Sequence, residues 1–356
     1  MKSILSFSSD GRGHLRQGLA AVYNIPMPIS SEILANPRSQ RIRHIADLAR
    51  AKNRKKYGRF LVEGPQGVRE AIGCKPGQVL DLYCDQDFLQ FQESQADSVV
   101  GDLAYKADDR GIHVHVCSAE VMDAISKDCQ GIAAVVRKGA VDDQPPTGDG
   151  FRQSSSDDGD HGKARSKDEN KGIGNGKGIG KDKGENRSKN RGFYAACWQL
   201  RDPGNAGTII RLADAAGLDG VILVDDCVDE TNPKVVRSTA GSLFHLPIIR
   251  MGIDDFFAFA QEHGATVVAA DAYGTDQVPV KELPAFLDEW RRTGQDQEKA
   301  GSAPTIVLFG NEARGLDDPL INRCQEAVRI PLYGKAESLN VAMSAAVILY
   351  SLAMVD

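Results

Sequence analysis

Three short segments in the C-terminal half place chemically capable residues at the ends of apolar runs. The first reads Asp202-Pro203-Gly204-Asn205-Ala206-Gly207-Thr208-Ile209-Ile210-Arg211. It offers a carboxamide and, six residues on, a guanidinium. A guanidinium keeps its proton in ordinary settings, so it stabilises a developing anion or grips a phosphate more readily than it acts as a base. The second, Phe309-Gly310-Asn311-Glu312-Ala313-Arg314-Gly315, ends an apolar run in glycines, which let a ligand approach the backbone closely. The third joins Ile330-Pro331-Leu332 to Ser338-Leu339-Asn340-Val341.

Each segment also has an ordinary reading. Strand-Pro-Gly-Asn-helix is a common turn, with Asn205 as N-cap and Arg211 as a surface charge. Gly310 to Gly315 could be a tight connection. Ser338 is expected to cap the long apolar helix that follows. Asn340 fits this account least well, because an Asn near the start of an apolar helix needs a partner.

The elements that must position these residues follow from periodicity. Strands are predicted at 194–198, 221–224, 266–270, 305–309 and 327–330, with helices at 205–216, 233–244, 319–324 and 338–354. An extra helix and a Gly/Ser loop occupy 284–304. Regular β-α alternation implies a parallel sheet with helices on both faces.

A smaller α/β unit precedes this one. Strands are predicted at 60–64, 79–83, 112–116 and 131–136, with helices at 68–72 and 120–125. His113 and His115 share one face of a strand, but no third ligand is near in sequence, so structural histidines are the better reading and no metal is expected. The stretch 38–59 holds nine Lys or Arg against one Asp. Its apolar residues Ile42, Ile45, Leu48 and Ala49 recur at helical spacing, which predicts one amphipathic helix with a basic outer face. In a chain of formal net charge −6, that local excess points to phosphate contact.

The domain layout expected from these patterns is an arm over 1–37, a substrate-binding domain over 38–141, a disordered linker over 142–190 and a second domain over 191–356. Ser, Asp, Gly, Lys and Asn dominate the linker, which cannot bury a core. Its glycine repeat matches neither nucleotide-binding fingerprint. The seven cysteines are scattered without a Cys-x-x-Cys pair, which excludes a zinc-finger spacing and fits reduced thiols. The longest apolar tract is too short and too polar to span a bilayer. A cytoplasmic protein without a membrane partner is the expectation.

Taken together and in this order, the three segments resemble the signature motifs of the SpoU (TrmH) family of RNA ribose 2′-O-methyltransferases, part of the SPOUT superfamily. The stretch Asn232-Pro233-Lys234-Val235-Val236-Arg237-Ser238-Thr239-Ala240-Gly241 resembles the family's basic helix-start segment. Thr239 stands where Ser is usual, and Ala342 where Ser is common. Phe60-Leu61-Val62-Glu63-Gly64-Pro65 resembles the start of the family's L30e-like N-terminal domain. The long linker is atypical.

The resemblance implies a SPOUT domain with a C-terminal trefoil knot, S-adenosyl-L-methionine as methyl donor, a ribose 2′-hydroxyl in RNA as acceptor, and a homodimer. It assigns Arg211 as the main catalytic candidate, with Asn205, Glu312, Ser338 and Asn340 orienting the reacting groups. Leu308, Phe309, Gly310, Asn311, Gly315, Ile330, Pro331, Leu332, Ser338, Leu339 and Asn340 would hold the cofactor. Arg41, Arg43, Arg54, Lys55, Lys56, Arg59, Lys234 and Arg237 would contact RNA. Ribosomal RNA of the 23S type is favoured. A transfer RNA substrate, a non-catalytic RNA-binding or ribosome-assembly factor on the same fold, and a base-methylating SPOUT enzyme are the competing readings.

Overall fold

The computed structural model describes residues 32–89, 98–141, 192–297 and 303–355. The expected linker 142–190 and most of the expected arm lie outside them. The chain divides into two compact units. Among the described residues, one comprises 32–89, 98–141, 200–214 and 227–248, the other 192–199, 215–226, 249–297 and 303–355.

In the first unit, α1 (Gln40–Ala46) and α2 (Ala51–Tyr57) precede β1 (Arg59–Glu63) and α3 (Pro65–Cys74). Then follow β2 (Val79–Asp85), α4 (Gln86–Leu89), α5 (Val99–Asp109), β3 (His113–Cys117), α6 (Ala119–Ile125) and β4 (Ile132–Arg137). The sheet order is β1-β4-β2-β3, antiparallel at its first two pairings and parallel at the last. Leu34 lengthens the β3 edge, donating to Val116 O and accepting from Ser118 N. The core gathers Ile42, Ile45 and Leu48 against Leu61, Tyr83, Val121, Met122 and Val135.

The single helix expected over 38–59 is broken in two. A 3-10 turn at 47–49 seats Leu48 in the core, and Arg50 is extended at φ −90° and ψ 128°. A straight helix does not carry Leu48 inward while holding the 51–57 segment in its own place. Two further helices of this unit, α7 (Pro203–Ala215) and α8 (Pro233–Thr239), come from the C-terminal half of the chain. The helix expected over 233–244 stops at Thr239, because Ala240 and Gly241 take the left-handed conformation.

The second unit is built on β5 (Phe193–Trp198), β6 (Gly220–Val224), β7 (Ile248–Met251), β8 (Thr266–Ala270), β9 (Val280–Glu282), β10 (Thr305–Phe309) and β11 (Glu326–Arg329). Between and after them lie α9 (Ile253–Glu262), α10 (Leu283–Gln297), α11 (Asp318–Ile321) and α12 (Val341–Ala353). The strand order is β7-β6-β5-β10-β8-β11-β9, and every pairing from β6 through β9 is parallel. All residues of β5, β6 and β10 are buried, as expected where both faces of a parallel sheet are covered. From β5 the chain adds β6 and β7 on one side. It then crosses to build β8 on the other, and β10 later fills the gap beside β5. That reversal is the type of switch point at which open α/β sheets bind ligands, outside the strands' carboxyl ends.

Candidate functional site

In the second unit the carboxyl end of β10 meets that switch point. A Cβ on Gly310 would lie 2.3 Å from Gly315 C and 2.5 Å from Leu316 N, so no larger residue fits. The turn closes on itself. Asn311 N donates to Gly315 O at 3.1 Å, Gly315 N donates to Asn311 O at 2.9 Å, and Gly315 has φ +66°. The Asn311 side chain is spent on architecture. Its Nδ2 donates to Gln199 O at 2.8 Å, and its Oδ1 accepts from Ala313 N at 3.0 Å. Glu312 and Arg314 are exposed on the same turn.

Three residues absent from the sequence expectation join this edge. Gln199 follows β5 in the left-handed region at φ 51°, and its side-chain oxygen accepts from Arg314. The Arg314 guanidinium lies 5.1 Å from the centre of the Trp198 ring. Asp225, at φ 59° after β6, accepts from Trp198 Nε1 and Ile253 N, each at 2.9 Å. Neither Gln nor Asp at a strand end announces positive φ, so sequence offered no signal beyond the aromatic Trp198 beside the first motif.

Leu308 and Phe309 are buried at 0% and 1% exposure, so only their backbone can reach a ligand. Ile330 and Pro331 are half-buried, and every residue from 332 to 340 is exposed. Leu332 and Leu339 are apolar yet 41% and 40% exposed. The C-terminal helix α12 begins at Val341, not at Ser338. Asn340 is its N-cap, with Oδ1 accepting from Ala342 N at 2.9 Å and Met343 N at 3.3 Å. This corrects the expectation that Ser338 caps the helix and Asn340 lacks a local reason. A carboxamide oxygen reaches the free amides of the first turn as well as a hydroxyl does.

Asn205 and Arg211 belong to the other unit, on α7. Here too the expected cap is displaced: Asp202 Oδ1 accepts from Asn205 N at 2.8 Å, and Asn205 lies inside the first turn. A Cβ on Gly207 would fall 2.4 Å from Ser238 Cβ and 2.7 Å from Val235 O, so glycine sets the close approach of α7 to α8. Arg211 is exposed, and among the described residues it has no ion-pair partner.

The expected RNA-contacting cations divide into two groups. Arg41, Arg43, Lys55, Lys56, Arg59 and Lys234 are exposed. Arg54 is 3% exposed and turned inward. Its Nη1 donates to Leu48 O and Ala49 O, its Nη2 to Asp229 Oδ2 at 2.7 Å, and its Nε to Asp229 and Thr231. Burial pushes the Asp229 carboxyl up, but hydrogen bonds from Thr231 and Arg54 outweigh it and hold it below the usual range. Arg237 pairs with Glu63 and, at 3.0 Å, with Asp128. Charge counting along a sequence cannot separate a guanidinium facing solvent from one consumed by a buried carboxylate. His115, one of the two strand histidines, is buried with Nε2 2.9 Å from Asp81 Oδ1.

None of the seven cysteines forms a disulfide, and six of them are buried. Among the described residues no helix is long and apolar enough to cross a membrane.

Comparison with known proteins agrees with this architecture. Residues 192–350 match the SpoU rRNA Methylase family, and residues 39–134 match the MRM3-like substrate binding domain. The 23S rRNA (guanosine(2553)-2′-O)-methyltransferase RlmP of Bacillus subtilis is 38% identical over 156 residues, covering 43% of this chain and 54% of that protein. The 23S rRNA (uridine(2479)-2′-O)-methyltransferase of Streptomyces viridochromogenes is 36% identical over 152 residues, 42% of this chain and 47% of that one. The chain thus spans about half the length of these curated relatives. An AdoMet-bound rRNA methyltransferase from Sinorhizobium meliloti superposes with a TM-score of 0.63 at 25% identity, over 90% of this chain and 97% of that one. Motif order, the parallel sheet with its glycine-closed turn and these matches converge: residues 192–350 are a SpoU methylase domain, and residues 39–134 an MRM3-like substrate-binding domain.

Proposed function

We propose that this protein transfers a methyl group from S-adenosyl-L-methionine to a ribose 2′-hydroxyl of ribosomal RNA, of the 23S type. The carrying observation is the Gly310–Gly315 turn, closed by its own backbone at the switch point of the parallel sheet, where a Cβ has no room. The residues present fit the cofactor. Backbone at 308–310 and 330–332 is available at strand ends, and the exposed Leu332 and Leu339 offer apolar surface for an adenine. When bound, S-adenosylmethionine supplies an electrophilic sulfonium methyl; orientation and electrostatics fall to the chain.

Arg211 stabilises the alkoxide that develops at the 2′-oxygen, or holds the adjacent phosphate. Asn205, Glu312, Ser338 and Asn340 orient the ribose and cofactor. Asn311 and Gly315 hold the shape of the turn. Arg41, Arg43, Lys55, Lys56, Arg59 and Lys234 meet the RNA backbone, each adding to the salt dependence of binding. Arg54 and Arg237 drop out of that set, because their charges are spent on Asp229, Glu63 and Asp128.

The reading includes the family's trefoil knot, a homodimer and a cytoplasmic workplace beside the ribosome. Exposed Met343 and Val347 on α12 and Met354 at its C-cap, with Tyr333 at 95% exposure in the preceding loop, support the dimer, since exposed apolar patches mark contact surfaces.

The test is to incubate the purified chain with ribosomal RNA and labelled S-adenosylmethionine and to map the methyl group. Ribose methylation lost in Arg211→Ala, with cofactor binding retained, is the expected result. A methyl on a base would move the chain to the base-methylating enzymes. RNA binding without transfer would make it an assembly factor, and transfer only to transfer RNA would shift the substrate.

A further inference from the structure

Four chemistry-bearing side chains that the proposed reaction does not use come together within the first unit. Glu70 and Cys74 lie one helical turn apart on α3 and share a face. His245 follows the 3-10 turn at 242–244, and Asp214 is near the end of α7. One donor atom each from Glu70, Cys74 and His245 lies within 4.8 Å of the others. His245 Nε2 is 3.2 Å from Glu70 Oε2, and its Nδ1 is 2.7 Å from Asp214 Oδ2. Gly241 permits the approach: at φ +101° a Cβ there would stand 2.4 Å from Glu70 Cγ.

We propose that Glu70, Cys74 and His245 Nε2 form a zinc site, with Asp214 orienting the imidazole from Nδ1. A thiolate, an imidazole and a carboxylate together are the donor set of a borderline-soft ion, whereas magnesium and calcium take oxygens. Carboxylate–histidine–metal is the usual way a second carboxylate fixes the tautomer and orientation of a metal-binding imidazole. Cys74 is exposed, so water completes the fourth position. The ion ties α3 to the 242–245 segment and offsets the charges of the Cys74 thiolate and the Glu70 carboxylate. The strand histidines differ in this respect: His115 is buried with Nε2 against Asp81 Oδ1, and among the described residues no group of three potential ligand side chains gathers there. Sequence spacing could not show the site, because one ligand lies far along the chain from the other two.

A proton on His245, shared between Asp214 and Glu70, would produce the same two contacts. It would have no use for Cys74, so the thiol decides between the two. The experiment takes the full chain, reduced and stripped of metal, and titrates it with cobalt(II), then zinc. One equivalent of cobalt should bind with a thiolate-to-metal charge-transfer band that zinc abolishes. Cys74→Ser and His245→Ala should each lose the band, and Asp214→Asn should weaken zinc binding roughly 10-fold or more. Melting in the presence of chelator shows whether each variant remains folded. Cys74→Ser removes an exposed sulfur only, so it should melt as the parent does. A parent protein with no charge-transfer band, or a folded Cys74→Ser variant that binds zinc as tightly as the parent, overturns the proposal.

Discussion

The Arg54 junction turns its polar groups inward, whereas the loop at 332–340, apart from the helix-capping Asn340, leaves its own in solvent. At the junction, one guanidinium meets two carbonyls, a carboxylate and a hydroxyl, and three stretches of chain become a single block. In the loop, all nine residues are exposed, and two leucines and a tyrosine stand in solvent among Lys335, Glu337 and Ser338. Both regions are rich in charge and hydroxyls, so composition does not separate them. The difference is what satisfies them. The junction is complete within the chain and acts on stability; the loop faces solvent, and only the proposed function gives it a ligand.

The largest break in that contrast would come from Arg54→Ala. It leaves Asp229 partly buried without its counter-charge, and removing one partner of a buried pair costs on the order of 3 kcal/mol. Urea denaturation should show a lowered midpoint, and an unchanged midpoint would make Arg54 an ordinary surface cation. Gly207→Ala comes next. Its methyl group meets Ser238 Cβ and the Val235 carbonyl, and overpacking of this kind costs roughly 1–3 kcal/mol. A thermal melt checks it.

Acid should sharpen the picture further. The Asp229 carboxyl is held below its ordinary value, so its contribution is full above the unfolded carboxylate pKa of about 4 and is lost as pH falls through the lower folded value. Asp229→Asn should therefore lower stability at neutral pH and flatten part of the acid limb of a plot of urea midpoint against pH. A limb that keeps its slope would remove Asp229 from the account. The smallest stability effects belong to the loop. Ser338→Ala and Tyr333→Ser should each move the melting midpoint by less than about 0.5 kcal/mol equivalent. Ser338→Ala should nonetheless reduce methyl transfer, and Tyr333→Ser should weaken self-association in sedimentation. A strongly destabilised Ser338→Ala protein would mean the loop is structural after all.

Much of this is legible in the sequence. Strands at 266–270 and 305–309 fall where the apolar runs put them, since a parallel strand buried on both faces is a short continuous apolar run. Helix ends were harder. Ser338 and Asn205 looked like caps, yet Asn340 and Asp202 accept the first-turn amides, because several neighbouring polar residues could do so and packing chooses among them. Strand β7 and helices α5 and α9 did not stand out in the sequence, their patterns being short or mixed. The junction was invisible for another reason: Arg54 and Asp229 are 175 residues apart.

The sequence by itself determined the order of the motifs, the alternation of strands and helices, and the glycines where backbone must pass close to backbone. These are local properties, written in period and residue size. Only the tertiary structure decided which cations face solvent, which Asn caps a helix, and which distant Glu, Cys and His share a corner. Those outcomes depend on burial and on partners far along the chain, and a charge or a carboxamide has the same letter in either setting.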